Sequence, residues 1–179
     1  MTKKKGTKAM KKLSLFLALL LCVLAVSACG GEKAEENKFT YSLTDIKTKC
    51  ENDFDFNGGY FFLNTDEFSE DILMYQYGVE DEEVIESIDS YLLSTPGTNS
   101  AKTLAVIIFK DGTSKETMTK AETAIREVYL ASVINNVGLY DPAQAPVAEK
   151  AEFTYYDNAL VLVAYDAEGN TALTSEIFK

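Results

Sequence analysis

The sequence predicts an α+β fold: a single two-layer domain with a small, mostly antiparallel sheet, one long helix packed on one face, and short N-terminal helices. Three observations lead there. Thr103–Lys110 is a continuous apolar run ending at Asp111-Gly112, the mark of a buried central strand. Met118, Ala121, Ile125, Val128 and Ser132 then recur at spacings of three and four, the period of an amphipathic helix. Phe153–Tyr156 and Ala159–Tyr165 read as two further strands around a tight turn. The order strand, long helix, strand, strand lays the helix across one sheet face. There is no internal repeat. At 179 residues, 46% hydrophobic and 25% charged, the chain has material for one domain.

Residues 1–28 read as an export leader. Lys3, Lys4, Lys5, Lys8, Lys11 and Lys12 form a basic start, and Leu13–Ala28 is almost entirely apolar. Those 16 residues are short for a spanning helix, which needs about 20. Val26-Ser27-Ala28-Cys29 before Gly30-Gly31 resembles the lipobox of bacterial lipoproteins. The resemblance implies cleavage between Ala28 and Cys29 and a diacylglycerol thioether on Cys29; a plain signal anchor with an incidental Cys29 is the alternative. Two acyl chains hold a protein stably on a membrane, at about 0.8 kcal/mol per buried methylene.

Processing also changes the charge. The full chain has 17 basic and 28 acidic residues; losing six lysines and no acid leaves 11 against 28, a formal charge of −17. So acidic a body is repelled by nucleic-acid phosphate, so no nucleic-acid partner is expected.

Residues 29–38 contain no large apolar side chain and read as a flexible tether. The domain is expected over residues 39–179. Ser42 with Asp45 resembles a capping box before Leu43, Ile46 and Cys50 on one helix face. Asp53–Leu63 is rich in glycine and aromatics. A second short helix is expected from Asp66 to Tyr77, stopped by Gly78. Asp81–Leu93 fits a helix through Val84, Ile85, Ile88, Tyr91 and Leu92, although Ser90–Leu93 before Ser94-Thr95-Pro96-Gly97 also fits a strand end; helix is favoured. Thr113-Ser-Lys-Glu116 reads as a capping box opening the long helix from Ser114 to Val137, with Gly138 as its stop. Pro142 and Pro146 punctuate the following loop. Asp157 and Asn158 tolerate the positive φ of a tight turn, and Asn170 would cap a last helix through Phe178.

The lipobox, the Tyr77-Gly78-Val79 element, the Thr103–Asp111 strand, the long charged helix and the terminal apolar strand together resemble a bacterial lipoprotein family, domain-of-unknown-function 4358. That resemblance covers roughly residues 10–179. It implies an exported, membrane-anchored protein of Gram-positive bacteria and brings no assigned activity.

Candidate chemistry is sparse. Histidine is absent, which removes histidine-dependent triads and imidazole metal ligands. Asp53-Phe-Asp55-Phe-Asn57-Gly58 matches the opening of a calcium loop, with oxygens at positions one, three and five. Position twelve, however, is Asn64 rather than a bidentate acid, with Asp66 and Glu67 nearby, so a turn with Phe54 and Phe56 packed inward is favoured. Cys50 is the one thiol left after processing, and its apolar spacing predicts a buried, inert group. Glu80–Glu83 reads as a solvated helix start. Tyr129, Tyr140, Tyr155, Tyr156 and Tyr165 would line a groove for sugars or peptides, or pack against the sheet. No spacing selects a catalytic carboxylate pair. The expectation is a non-enzymatic binding module without cofactor, on the outer face of the cell membrane, contacting an envelope protein, peptide or glycan. The alternatives are an acidic hydrolase using paired carboxylates and a calcium-stabilised surface domain.

Overall fold

A computed structural model describes residues 37–179; the leader, Ala28, Cys29 and most of the tether lie outside the described residues. The domain is α+β, built on a five-stranded antiparallel sheet of order β1-β2-β3-β5-β4. The strands are β1 Tyr60–Leu63, β2 Ile88–Thr95, β3 Thr103–Phe109, β4 Glu152–Tyr155 and β5 Ala159–Ala164. β5 lies between β3 and β4, pairing Val106 with Val161 on one side and Thr154 with Val161 on the other.

The helices are α1 Leu43–Asp53, α2 Ser69–Asp71 running on as a π-helical turn over Ile72–Gln76, and α3 Glu82–Ser87. The long helix α4 comprises Lys115–Ala124, a π-helical stretch Ile125–Leu130 and Ala131–Tyr140. After a 3₁₀ turn at Pro142–Gln144 come α5 Ala145–Glu149 and, at the end of the chain, α6 Thr171–Ile177. Among the described residues no helix is long and apolar enough to cross a membrane.

The unbroken apolar character of β3 and β5 has a direct cause: both faces of the sheet are covered. On one face Tyr91, Leu93, Ala105, Ile107, Leu160 and Leu162 pack against α4 through Met118, Ala121, Ile125 and Val133. The other face is closed by a further layer. There Leu92, Leu104, Val106, Val161 and Val163 meet Ile46 and Cys50 of α1 and Leu173 and Ile177 of α6. Phe39, Tyr41, Tyr156 and Phe178 seal its edge as edge-to-face ring pairs. The N-terminal segment is clamped by Asn158, whose Oδ1 accepts from the Phe39 N–H at 2.7 Å.

Several expectations change. Asp81 does cap α3, its carboxylate accepting from Glu83 and Val84 N–H. The helix then gives way at Ile88 to β2, so the helix favoured over Asp81–Leu93 is half helix and half strand. Tyr91 and Leu92 face opposite sides of the sheet, an alternation that the 3.6-residue template absorbs without complaint. The cap of α4 is Ser114 rather than Thr113, with Ser114 Oγ accepting from Thr117 N–H at 3.1 Å. Gly138 lies inside α4, which ends at Tyr140. The second helix begins at Ser69 instead of Asp66, whose carboxylate is engaged in accepting from Leu63 N–H. Neither Asp157 nor Asn158 takes positive φ. Asn170 precedes α6, but its Oδ1 accepts from Tyr165 N–H instead of capping the helix. The segment after α4 carries helical turns rather than plain loop.

The largest departure is inside α4. Its core residues are Met118, Ala121, Ile125, Tyr129, Val133 and Val137, so Val128 and Ser132 are not part of the buried stripe. In a 3.6-residue helix each four-residue step overshoots a full turn by about 40°. Four such steps run from Ala121 to Val137 and would carry the stripe off the sheet. The wider π turn, with Ala131 N–H reaching back five residues to the Arg126 carbonyl, removes that overshoot. It also turns Val128 and Ser132 outward.

Candidate functional site

The two π-helical turns meet. Tyr77 closes the first, its N–H donating to the Ile72 carbonyl five residues back at 3.0 Å, and Tyr129 lies within the second. Their rings stack with centroids 4.0 Å apart and planes 9° from parallel. Both rings are buried and both hydroxyls are held: Tyr77 Oη donates to the Ser94 carbonyl at 2.6 Å, and Tyr129 Oη lies 2.9 Å from Thr103 Oγ1. Burial pushes the Tyr129 phenol up to about 12, and burial together with its neighbour Tyr129 pushes Tyr77 well above the ordinary phenol value. Neither is placed to lose a proton, so the pair is a rigid platform and not an acid or base.

Gly78 makes this approach feasible. Its φ is +76°, and a Cβ there would stand 2.5 Å from the Cβ of Val128. Above the platform the outward-facing residues frame an open groove of about 380 Å³. Tyr75 and Gln76 form one wall, Val128, Ser132, Val133 and Asn136 of α4 the other, and Pro96 with Ser100 of the β2–β3 connection close one end. Tyr129 contributes to the floor. Tyr75 is 69% exposed. None of the lining residues carries a formal charge, although one residue in four of the chain does.

The residues singled out from sequence do not gather here. Of the five tyrosines only Tyr129 reaches the groove. Tyr155 donates a hydrogen bond to Glu122 beside α4, and burial and then that carboxylate raise its pKa. Tyr156 packs on Phe39, and its pKa is raised by burial. Tyr165 holds Phe54 and Phe56 on the opposite sheet face, with the Lys102 ammonium over its ring at 4.8 Å. Tyr140 is exposed at the end of α4.

Asp53 ends α1, while Asp55 turns back on the chain: its Oδ1 accepts from Asn57 N–H at 2.8 Å and Lys102 Nζ stands 3.5 Å from Oδ2. That backbone hydrogen bond, then Lys102, hold the Asp55 carboxyl below its usual value. Asn57 takes a left-handed φ of 54° in the turn, and Phe56 packs inward against Phe61. Among the described residues no three carboxylates or thiols converge as metal ligands. Cys50 is buried, and desolvation, then Glu51, push its thiol up to about 12.

Tyr75, Gln76 and Asn136 were not visible as site residues from sequence. The available signal was Gln76, a polar residue that a regular helical phase burying Ile72, Leu73 and Tyr77 would place among them on the buried face.

Compared with known proteins, the chain matches no family model, no curated protein and no solved structure.

Proposed function

We propose that this chain is an exported lipoprotein, anchored through Cys29 to the outer face of the cell membrane, whose single domain binds an envelope component without performing chemistry. The Val26-Ser27-Ala28-Cys29 sequence supports the anchor, and the resemblance to the domain-of-unknown-function 4358 lipoproteins points the same way. The groove between the two π turns is the observation that supports binding: it is uncharged, rimmed by an exposed aromatic ring, and lined at its base by buried Tyr129, whose ring is fixed by stacking on Tyr77. Among the described residues three carboxylates have displaced pKa values, Asp55, Asp66 and Glu176, and all three are displaced downward. A general acid requires the opposite direction, so a hydrolase gains no support from them.

Two measurements test this reading. Mass spectrometry of membrane-extracted protein should find a lipid-modified Cys29 as the first residue, and Cys29→Ala should leave the membrane fraction; retention of that variant would remove the anchor. Retention of the domain on isolated envelopes should fall on Tyr75→Ala while folding is unchanged. Equal retention of the two forms would remove the groove as the binding site.

A further inference from the structure

We infer that the groove takes a short, neutral saccharide segment, an assignment of ligand class that rests on the binding role proposed above. The first reason is electrostatic. A groove without a formal charge, on a body with so large an acidic excess, offers nothing to an anionic or cationic headgroup and does not penalise a neutral polyol. The second is the ring of Tyr75, which stands 69% exposed with no ring partner and no hydrogen bond among the described residues. A pyranose has an apolar C–H face and a polar rim, and such a face stacks on an aromatic plane while its hydroxyls stay available for hydrogen bonds.

The third reason is the set of polar side chains around that ring. Gln76, Ser132 and Asn136 each line the groove, and no hydrogen bond among the described residues uses their side-chain atoms. Ser132 and Asn136 are one turn apart on α4 and so lie on one face. Two primary amides supply both donors and acceptors, and a hydroxyl supplies both at once, which matches the mixed donor and acceptor character of sugar hydroxyls. The volume, about 380 Å³, sits at the lower end of small-ligand sites, which run about 300–1,000 Å³. It fits a disaccharide-sized segment whose chain leaves through the open side.

A peptide is the competing occupant. Extended peptides are held by main-chain hydrogen bonds from an exposed sheet edge. This groove has none: its walls are two helical turns, and its closed end is the connection between β2 and β3, both of which are inner strands.

Saturation-transfer NMR on the full-length protein in detergent tests the inference, with two probes: the β-1,4-linked tetramer of N-acetylglucosamine and a neutral Gly-Ser tetrapeptide. The expected result is transfer to the ring C–H protons of the sugar and none to the peptide. Affinity should weaken about three- to tenfold in Tyr75→Ala, be largely kept in Tyr75→Phe, and weaken in Asn136→Ala. Tyr75 and Asn136 are exposed and make no hydrogen bond among the described residues, so these variants should fold normally, as circular dichroism will report. Absence of transfer to the sugar, transfer unaltered by Tyr75→Ala, or transfer to the peptide alone would each overturn the assignment. Should the sugar fail while envelope retention still depends on Tyr75, the saccharide assignment falls and the binding module stands.

Discussion

Replacing Gly78 by alanine probes the contact that joins the two π turns. Gly78 has φ +76°, and holding an L side chain in that left-handed conformation costs about 1–2 kcal/mol. The added methyl would stand 2.5 Å from Val128 Cβ and 2.6 Å and 3.0 Å from its two methyl carbons. The neighbouring helix must then shift, and overpacking of this kind costs about 1–3 kcal/mol. Gly78→Ala should therefore destabilise the domain by about 2–5 kcal/mol. A double-mutant cycle with Val128→Gly separates the two parts, because that substitution deletes the atoms the new methyl strikes. Val128→Gly alone should cost about 1 kcal/mol, the ordinary penalty of glycine within a helix, since Val128 is 44% exposed and buries little. In the double variant the steric part disappears and the backbone part remains, giving a favourable coupling of about 1–3 kcal/mol. Urea unfolding of all four proteins, with unchanged dependence on denaturant, reads the cycle directly. A cost below about 1 kcal/mol for Gly78→Ala, or four stabilities that add without coupling, would refute the packing argument.

Three further outcomes are expected. Tyr77→Phe removes the 2.6 Å hydrogen bond to the Ser94 carbonyl while keeping the stacked ring, and should cost about 0.5–1.5 kcal/mol in the same assay. Stability should fall at alkaline pH. Cys50, Tyr77 and Tyr129 all have pKa values raised by folding, so the native state keeps protons that the unfolded chain releases. The stabilisation is complete below about pH 9, where the unfolded thiol begins to ionise, and is lost progressively as pH climbs toward about 12. Urea midpoints against pH should show this, with the onset moved toward pH 10 in Cys50→Ala; a flat profile from pH 9 to 11 would contradict it. Asn158→Ala deletes the clamp on Phe39, whose N–H then lacks its side-chain acceptor inside the protein. It should cost about 1–3 kcal/mol and open residues near 39 to limited proteolysis; an unchanged cleavage pattern would show that the rings around Phe39 hold the segment alone.

What could be read from the sequence follows from which residues obey one period. β3 and β5 are plain because every position after Thr103 in the one and every position in the other is apolar, and α1 is plain because Ser42, Ile46 and Cys50 supply cap and face together. β2 was obscured because α3 passes into it at Ile88 with no glycine or proline between them, so no breaker marks the change of period. β1 was hidden in an aromatic run whose turn is set by Asn57 and Gly58, both at positive φ. There the strand is only four residues long. The calcium-like spacing of Asp53, Asp55 and Asn57 belongs to that same turn, where Asp55 engages a backbone N–H and Lys102. Spacing alone cannot show such an engagement.

The groove was illegible for a deeper reason: each wall is the product of a residue that the regular helix has no place for. Without the wide turn in Ile125–Leu130, the overshoot of a plain α-helix would carry Val133 and Val137 off the sheet, so the turn keeps one apolar stripe buried along α4. The wide turn therefore serves burial first. It also shapes the outer surface, where it presents Val128 and Ser132 beside Asn136, while the corresponding turn at Ile72–Gln76 presents Tyr75 and Gln76 across from them. Wide turns of this type occur often at functional sites. Here two of them abut at a glycine that admits no side chain, over two phenols stacked and fixed by hydrogen bonds. The turn that keeps the α4 stripe on the sheet and its counterpart at Ile72–Gln76 together shape that outer surface, on which the proposed binding role rests.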